Sequence, residues 1–159
     1  DVLGSRGLGD VYKRQIIHTG YPAIDSIVNF KLQAARKNVV KVNVSSTLPQ
    51  GLNISSFDLT VVFGNLIDNA LQAVSLVPEN KFIDLALHYS KGMMLIKVSN
   101  PFINEIKKSG DKVITTKKDK KNHGYGLTSV KEAVEKYDGT IDIIPENNIF
   151  TVTVVLYVD

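Results

Sequence analysis

The chain has 159 residues, of which 43% are hydrophobic, 8% aromatic and 22% charged, the make-up of one soluble globular domain with a buried core. Having no cysteine, it lacks disulfides, thiolate metal sites and thiol nucleophiles, which fits a cytosolic protein. The net charge of +3 is too mild to argue for nucleic acid, and no apolar run approaches the roughly 20 residues that span a bilayer, so the membrane part of any sensor would lie elsewhere.

Residues 1–15, DVLGSRGLGDVYKRQ, carry neither helical nor strand periodicity. They look like a foreign leader of adapter or vector origin, so RGLGD is not taken as a phosphate loop. From Pro22, the residues Ile24, Ile27, Val28, Leu32 and Ala35 share one helical face, and the helix should end near Asn38. VVKVNVSS alternates as a half-buried strand and LPQG closes it as a turn. Ser55, three residues before Asp58, offers a capping-box start to a helix through about Leu76, with Val62, Phe63, Leu66 and Ala70 as its apolar stripe. Two strands, 81–90 and 93–100, form a hairpin across SKG. Residues 101–123 lack periodicity, and a loop of that length in a compact domain suggests a lid. Leu127, Val130, Val134 and Tyr137 mark a third helix, which Gly139 should end in a left-handed cap. TIDII and IFTVTVVLY then form strands around PENN. This order predicts an α/β two-layer sandwich, one mixed sheet with the helices on one face, and residues 16–159 as a single domain.

Chemistry concentrates in three places. NLIDNALQA puts Asn65, Asn69 and Gln72 at i, i+4 and i+7, a polar stripe beside the apolar one. A solvated helix face is the ordinary explanation for such a stripe. Against it, asparagine is a poor helix former, and two in mid-helix suggest that their amides are wanted; Asp68 between them adds an oxygen of the kind magnesium takes. HGYGL opens the third helix with glycines where unpaired main-chain N–H groups meet anions, although a lone GxG is more often only a turn. Lys107, Lys108, Lys112, Lys117, Lys118, Lys120 and Lys121 crowd the loop before it, a pattern that solvation alone also explains.

NLIDNA, followed by HGYGL and YDGTIDI, resembles the N-box and second glycine box of the GHKL ATP-binding superfamily, whose domain has the Bergerat-type fold. From about Gly20 to Asp159 the chain looks most like the catalytic domain of histidine kinases of the quorum-sensing and citrate-sensor-like type, including its NFKLQAARKN and TKKDKKNHGYGL segments. The resemblance implies ATP and Mg2+ as ligands, with Asn69 on the metal and Asn65 one turn earlier, beside metal and phosphates. Asp68 and Gln72 flank them. Gly124, Tyr125, Gly126 and Leu127 would bring main-chain N–H groups to phosphate, Lys117 would close the lid over the nucleotide, and His123 would order the lid or touch phosphate. Asn100 falls where relatives carry an aspartate for the adenine amino group; an amide carbonyl could accept that bond without charge assistance. Other departures are Asn122 in place of a glycine and Gln72 in place of a phosphate-contacting lysine.

Hydrolytic members of the superfamily carry glutamate where this chain has Asn65. A carboxylate can take a proton from water and an amide cannot, so Asn65 is the position that argues for transfer to a nucleophile with its own reactivity. The function implied is a sensor histidine kinase's catalytic domain, acting on a histidine of an upstream dimerisation domain. A response regulator would follow indirectly. The whole protein would be a membrane-anchored homodimer with this domain in the bacterial cytoplasm, and no nucleic acid is expected. His18 is a poor candidate for the acceptor, with no long helical hairpin around it. Alternatives are a serine kinase of the anti-sigma-factor type, a basic module that binds a partner through the lysines, and a pseudokinase that binds nucleotide without transferring phosphate.

Overall fold

The computed structural model describes residues 17–103 and 127–159. In chain order these form α1 (Pro22–Lys37), β1 (Lys41–Thr47), α2 (Ser56–Ser75), β2 (Phe82–Ser90), β3 (Met93–Pro101), α3 (127–135), β4 (Thr140–Glu146) and β5 (Ile149–Tyr157). The expected order of elements holds. The strands make one sheet in the order β1-β2-β3-β5-β4. β1 lies parallel to β2 and the remaining neighbours are antiparallel, so the sheet is mixed. A parallel neighbour needs a crossover, and α2 supplies it between β1 and β2.

Alternation places the core. Ile83, Leu85 and Leu87 on β2, Met94, Ile96 and Val98 on β3, and Val152, Val154 and Leu156 on β5 all turn to one face. There they join Ile24, Val28 and Leu32 of α1, Leu59, Phe63 and Leu66 of α2, and Val130 and Val134 of α3 in one apolar cluster. The opposite face carries Asp84, His88, Lys97, Thr153 and Asp142. Two-residue turns with both φ positive, Lys91–Gly92 and Asn147–Asn148, close the β2–β3 and β4–β5 hairpins, the twist that short hairpins need.

Several expectations need adjusting. Pro145 and Glu146 belong to β4, so only Asn147 and Asn148 of PENN form the turn. Pro101, placed at the start of the lid, instead ends β3 paired with Ile149, and Phe102 extends the junction: its N–H donates to the Asn148 carbonyl at 3.1 Å and its ring meets Phe150 edge-on. Beyond residue 103 the expected lid lies outside the described residues, as do the proposed leader, 1–15, and Lys117, His123, Gly124, Tyr125 and Gly126.

The end of α3 shows why a glycine follows it. Asp138, not Gly139, adopts the left-handed conformation, at φ 51°. The Gly139 N–H donates to the Val134 carbonyl at 3.0 Å and the Asp138 N–H to the Glu135 carbonyl at 3.1 Å, the paired bonds of a Schellman cap. Gly139 is required by proximity instead: a Cβ there would stand 2.0 Å from the Val155 carbonyl oxygen. α1 ends in the same cap with Val39 at φ 58°, a strained conformation for a β-branched side chain.

Gly139→Ala must push α3 off β5 and is expected to cost about 3 kcal/mol or more. Val39→Gly, relieving left-handed strain against a greater entropy loss, should gain roughly 0.5–1 kcal/mol. Urea midpoints of the two variants, moving in opposite directions, check both.

Candidate functional site

α2 faces three ways. Leu59, Val62, Phe63, Leu66, Ile67, Ala70 and Val74 are buried toward the sheet. Gly64 and Asp68 look toward α1: the added Cβ at Gly64 would lie 3.8 Å from Ile27 Cγ1, and Lys31 Nζ donates to Asp68 Oδ1 at 2.7 Å. The third flank carries Asp58, Asn65, Asn69 and Gln72, at i, i+7, i+11 and i+14. At about 100° per residue these four lie within roughly 60° of one another. Asp68 is therefore not brought to the asparagine stripe; it turns to α1 and pairs with a lysine, for which its position in the linear motif gave no sign.

Asp58 anchors the lower end of this flank. The capping box forms only by half, with the Asp58 N–H donating to Ser55 Oγ at 3.4 Å. The reverse half is replaced by α3's end. The Ser55 N–H donates to Tyr137 Oη at 3.0 Å, and that hydroxyl donates onward to Asp58 Oδ2 at 2.7 Å. Lys136 Nζ donates to Asp58 Oδ1 at 2.9 Å. Burial pushes the Asp58 carboxyl upward, but the hydrogen bonds from Tyr137 and Lys136 and the lysine's charge outweigh it and hold it below the usual aspartate value. Hydrogen bonding and charge from Asp58 raise Lys136, while burial and then the Asp58 bond raise the Tyr137 phenol. Periodicity registered Tyr137 only as an apolar stripe residue, and the cap pattern gave Asp58 no partner but Ser55.

Asn53 N–H donates to the Asp159 carbonyl and Val158 N–H to the Gly92 carbonyl, so α2 begins at the end of the sheet where β3 begins. It ends beside the start of β2, where β2 pairs with the last residues of β3. Asn100, buried on the helix-facing side at that end of β3, donates through Nδ2 to the Pro101 carbonyl at 3.0 Å. α3 runs back from Tyr137, and Leu127, half-buried against the core, lies ten residues before it, about 15 Å along the axis. Asn65 is ten residues beyond Ser55, the same rise on α2. Asn69, late in α2, and Asn100 thus lie toward the same end of the sheet, and Leu127 is one helix length from the Tyr137 junction.

The amides differ in what they leave available. Asn65 Nδ2 donates to the Val61 carbonyl one turn back at 2.7 Å, which occupies one of its two N–H donors and leaves Oδ1 outside that bond. The half-buried Asn69 side chain makes no hydrogen bond among the described residues, and Gln72 is exposed. Two neutral amide oxygens are poor partners for a bare divalent ion, which pays heavily for dehydration. They suit magnesium that arrives already neutralised by phosphates, and with Asp68 turned away no carboxylate of the stripe between Asn65 and Gln72 repels those phosphates. On donor chemistry the residues fit a metal–nucleotide better than a metal alone.

Comparison with known proteins bears on this arrangement directly. The sequence profile of the GHKL domain matches residues 54–157, which include α2, β2, β3, α3, β4 and β5. The chain belongs to the GHKL domain family. Sensor histidine kinase DcuS from Escherichia coli is 36% identical over 115 residues, 69% of this chain. This chain spans about a fifth, 21%, of that relative's length. The fold matches the catalytic domain of histidine kinase ThkA in a nucleotide-free form, with TM-score 0.64 at 18% identity over 88% of this chain and 92% of that one. Full-length ShkA in complex with AMPPNP matches with TM-score 0.62 at 11% identity over 86% of this chain and 29% of that one. The GHKL resemblance and the mixed-sheet sandwich read from the sequence are both borne out, and among the described residues no helix is long and apolar enough to cross a membrane.

The Asp58 junction makes stability depend on pH at both extremes. A depressed carboxyl contributes above its unfolded value near 4, and that contribution is lost as pH falls through the lower folded value. Lys136 and Tyr137 are raised, so their contributions are complete below about pH 10 and lost as pH climbs through the folded values. The charges facing Asp58 are Lys136 and the Tyr137 phenol, with Glu132 adding to the rise of Lys136. Urea midpoints measured across pH should be flat between about 5 and 9 and fall on either side; Asp58→Asn should flatten the acid limb and lessen the alkaline one, where the burial of Tyr137 remains.

Proposed function

We propose that this chain is the ATP-binding catalytic domain of a sensor histidine kinase of the quorum-sensing or citrate-sensor-like type, holding Mg-ATP between α2 and α3 and donating the γ-phosphoryl group to a histidine of a dimerisation domain. One observation carries the reading: a mid-helix asparagine, Asn69, half-buried and without a hydrogen-bond partner among the described residues, stands on the flank of α2 that leads to α3. Family membership and the shared fold support it.

On this reading Asn69 would hold the metal with the oxygen of Asn65 beside it and the phosphates, Asn100 faces the base, and Leu127 marks where main-chain N–H groups meet phosphate. Magnesium, when bound, supplies charge neutralisation on the phosphates. Gln72 at the rim and Lys117, His123, Gly124, Tyr125 and Gly126 complete the assignment. Asp68 is left out of the metal set because Lys31 holds it. Asn65 orients but accepts no proton, so water near the phosphates is not activated and the phosphoryl group waits for an imidazole that needs no base. The domain spans 16–159 with a lid that follows β3 and ends at about 123, preceded by a foreign leader. The whole protein is a membrane-anchored homodimer with this domain in the cytoplasm, and its phosphorylated histidine supplies a response regulator.

Calorimetry with Mg-ATP tests the site. The wild-type chain should bind and show almost no turnover, and Asn69→Ala should weaken binding by about tenfold or more, each tenfold being about 1.4 kcal/mol. Equal affinity in the two proteins removes the metal assignment.

A further inference from the structure

The clasp of Ser55, Asp58, Tyr137 and Lys136 lies on the same flank of α2 as the asparagines, and the site as described makes no use of it. Its chemistry is costly for a mere fastener. Asp58 is 5% exposed, and replacing a buried, bonded carboxylate with well-packed apolar groups is often neutral or stabilising. Directional bonds provide what apolar contact does not, a fixed register. α3 buries only Val130, Ala133 and Val134 among its described residues, a small surface that by itself tolerates sliding and rotation. Gly139 then fixes the exit of α3 at van der Waals distance from β5, so that the remaining freedom is the pitch of α3 over α2. Tyr137 Oη restrains it by bridging a main-chain donor and a carboxylate of the same helix turn, at 3.0 and 2.7 Å.

We propose that Asp58 and Tyr137 are positioning residues for nucleotide binding: their bond at the closed end of the α2–α3 cleft fixes the register of α3 so that its first turn and Asn69 engage the same ligand. The inference rests on the site reading above. Asp58 precedes Asn65 by two helical turns on one flank, and Tyr137 follows Leu127 by ten residues, so an angular error at the clasp is magnified at the first turn of α3. A displacement near 1 Å suffices to cost one to two orders of magnitude in a site built on positioning.

The test is Mg-AMPPNP affinity by calorimetry in wild type, Tyr137→Phe, Lys136→Ala, Asn69→Ala and the double variant Tyr137→Phe/Asn69→Ala, at a temperature where circular dichroism shows all of them folded. Tyr137→Phe should weaken binding roughly tenfold. Lys136→Ala, which leaves the tyrosine–aspartate bond in place and removes a side chain that is 58% exposed, should change affinity less than about twofold. In the Asn69→Ala background Tyr137→Phe should cost little more, because its effect passes through the shared ligand. A purely structural role would leave the affinity of the folded variant unchanged, and that result overturns the inference, as does an equal loss in both backgrounds. Wild-type affinity in Asn69→Ala alone overturns the site reading itself, and the inference with it. If Tyr137→Phe does not fold, Asp58→Ala, which removes the acceptor of the Tyr137 hydroxyl, is measured in the same two backgrounds with the same opposing outcomes.

Discussion

Much of this domain hangs on one carboxylate. Asp58 opens the helix that crosses from β1 to β2, and the last turn of α3 closes on it through Tyr137 and Lys136. Without that closure α3 would be held chiefly by a short apolar stripe and by the return of the chain into β4. With it, the start of α2 and the end of α3 share one fixed point. The ion pair has a water-facing lysine and a buried aspartate, so its desolvation cost falls almost entirely on Asp58, and the tyrosine hydroxyl offsets it.

α2 divides its labour by flank. Toward the sheet it is apolar. Toward α1 it presents Gly64, which lets Ile27 approach, and Asp68, which takes Lys31; the pairs 27 with 64 and 31 with 68 advance together, so α1 and α2 run parallel. Only the third flank is left for chemistry. The acidic residue of the NLIDNA motif is spent on helix packing and the two amides are left on the other flank, a division that no linear reading of the motif distinguishes, because all three residues fall within five positions.

Local patterns predicted local structure well. Pro22 marks the first turn of α1, Ser55 caps α2 as its spacing suggested, and alternation assigned the buried face of β2 residue by residue, from Ile83 to Leu87. What escaped was non-local. Gly139 was expected for its backbone freedom, but it is required by a carbonyl of β5 sixteen residues later in the chain, and the left-handed residue is its neighbour Asp138. Tyr137 fits the helical stripe because its ring packs there; nothing in a period of 3.6 residues says that its hydroxyl reaches back across about half of the chain to residue 58. For the candidate site, the helical spacing of Asn65, Asn69 and Gln72 already placed them together. Which flank of α2 faces α1, and hence the fate of Asp68, needs the packing of α1 to be known.

The amides also explain why position matters more than charge here. Asn65, Asn69 and Asn100 are all neutral, and Asn65 spends one N–H on its own helix. On the proposed reading these amides do not themselves draw in a phosphate by charge, nor can they deprotonate water. They can hold oxygens at set places, and that is sufficient for phosphoryl transfer, in which most of the catalysis is alignment and screening of charge already present on the nucleotide and its metal. Neutral ligands make such a site sensitive to geometry, since a misplaced amide loses its short-range contact entirely where a misplaced charge would still act at a distance. The rigid closed end of the cleft, with its buried carboxylate, tyrosine and glycine-tight strand contact, is what a site of neutral amides requires of the fold around it.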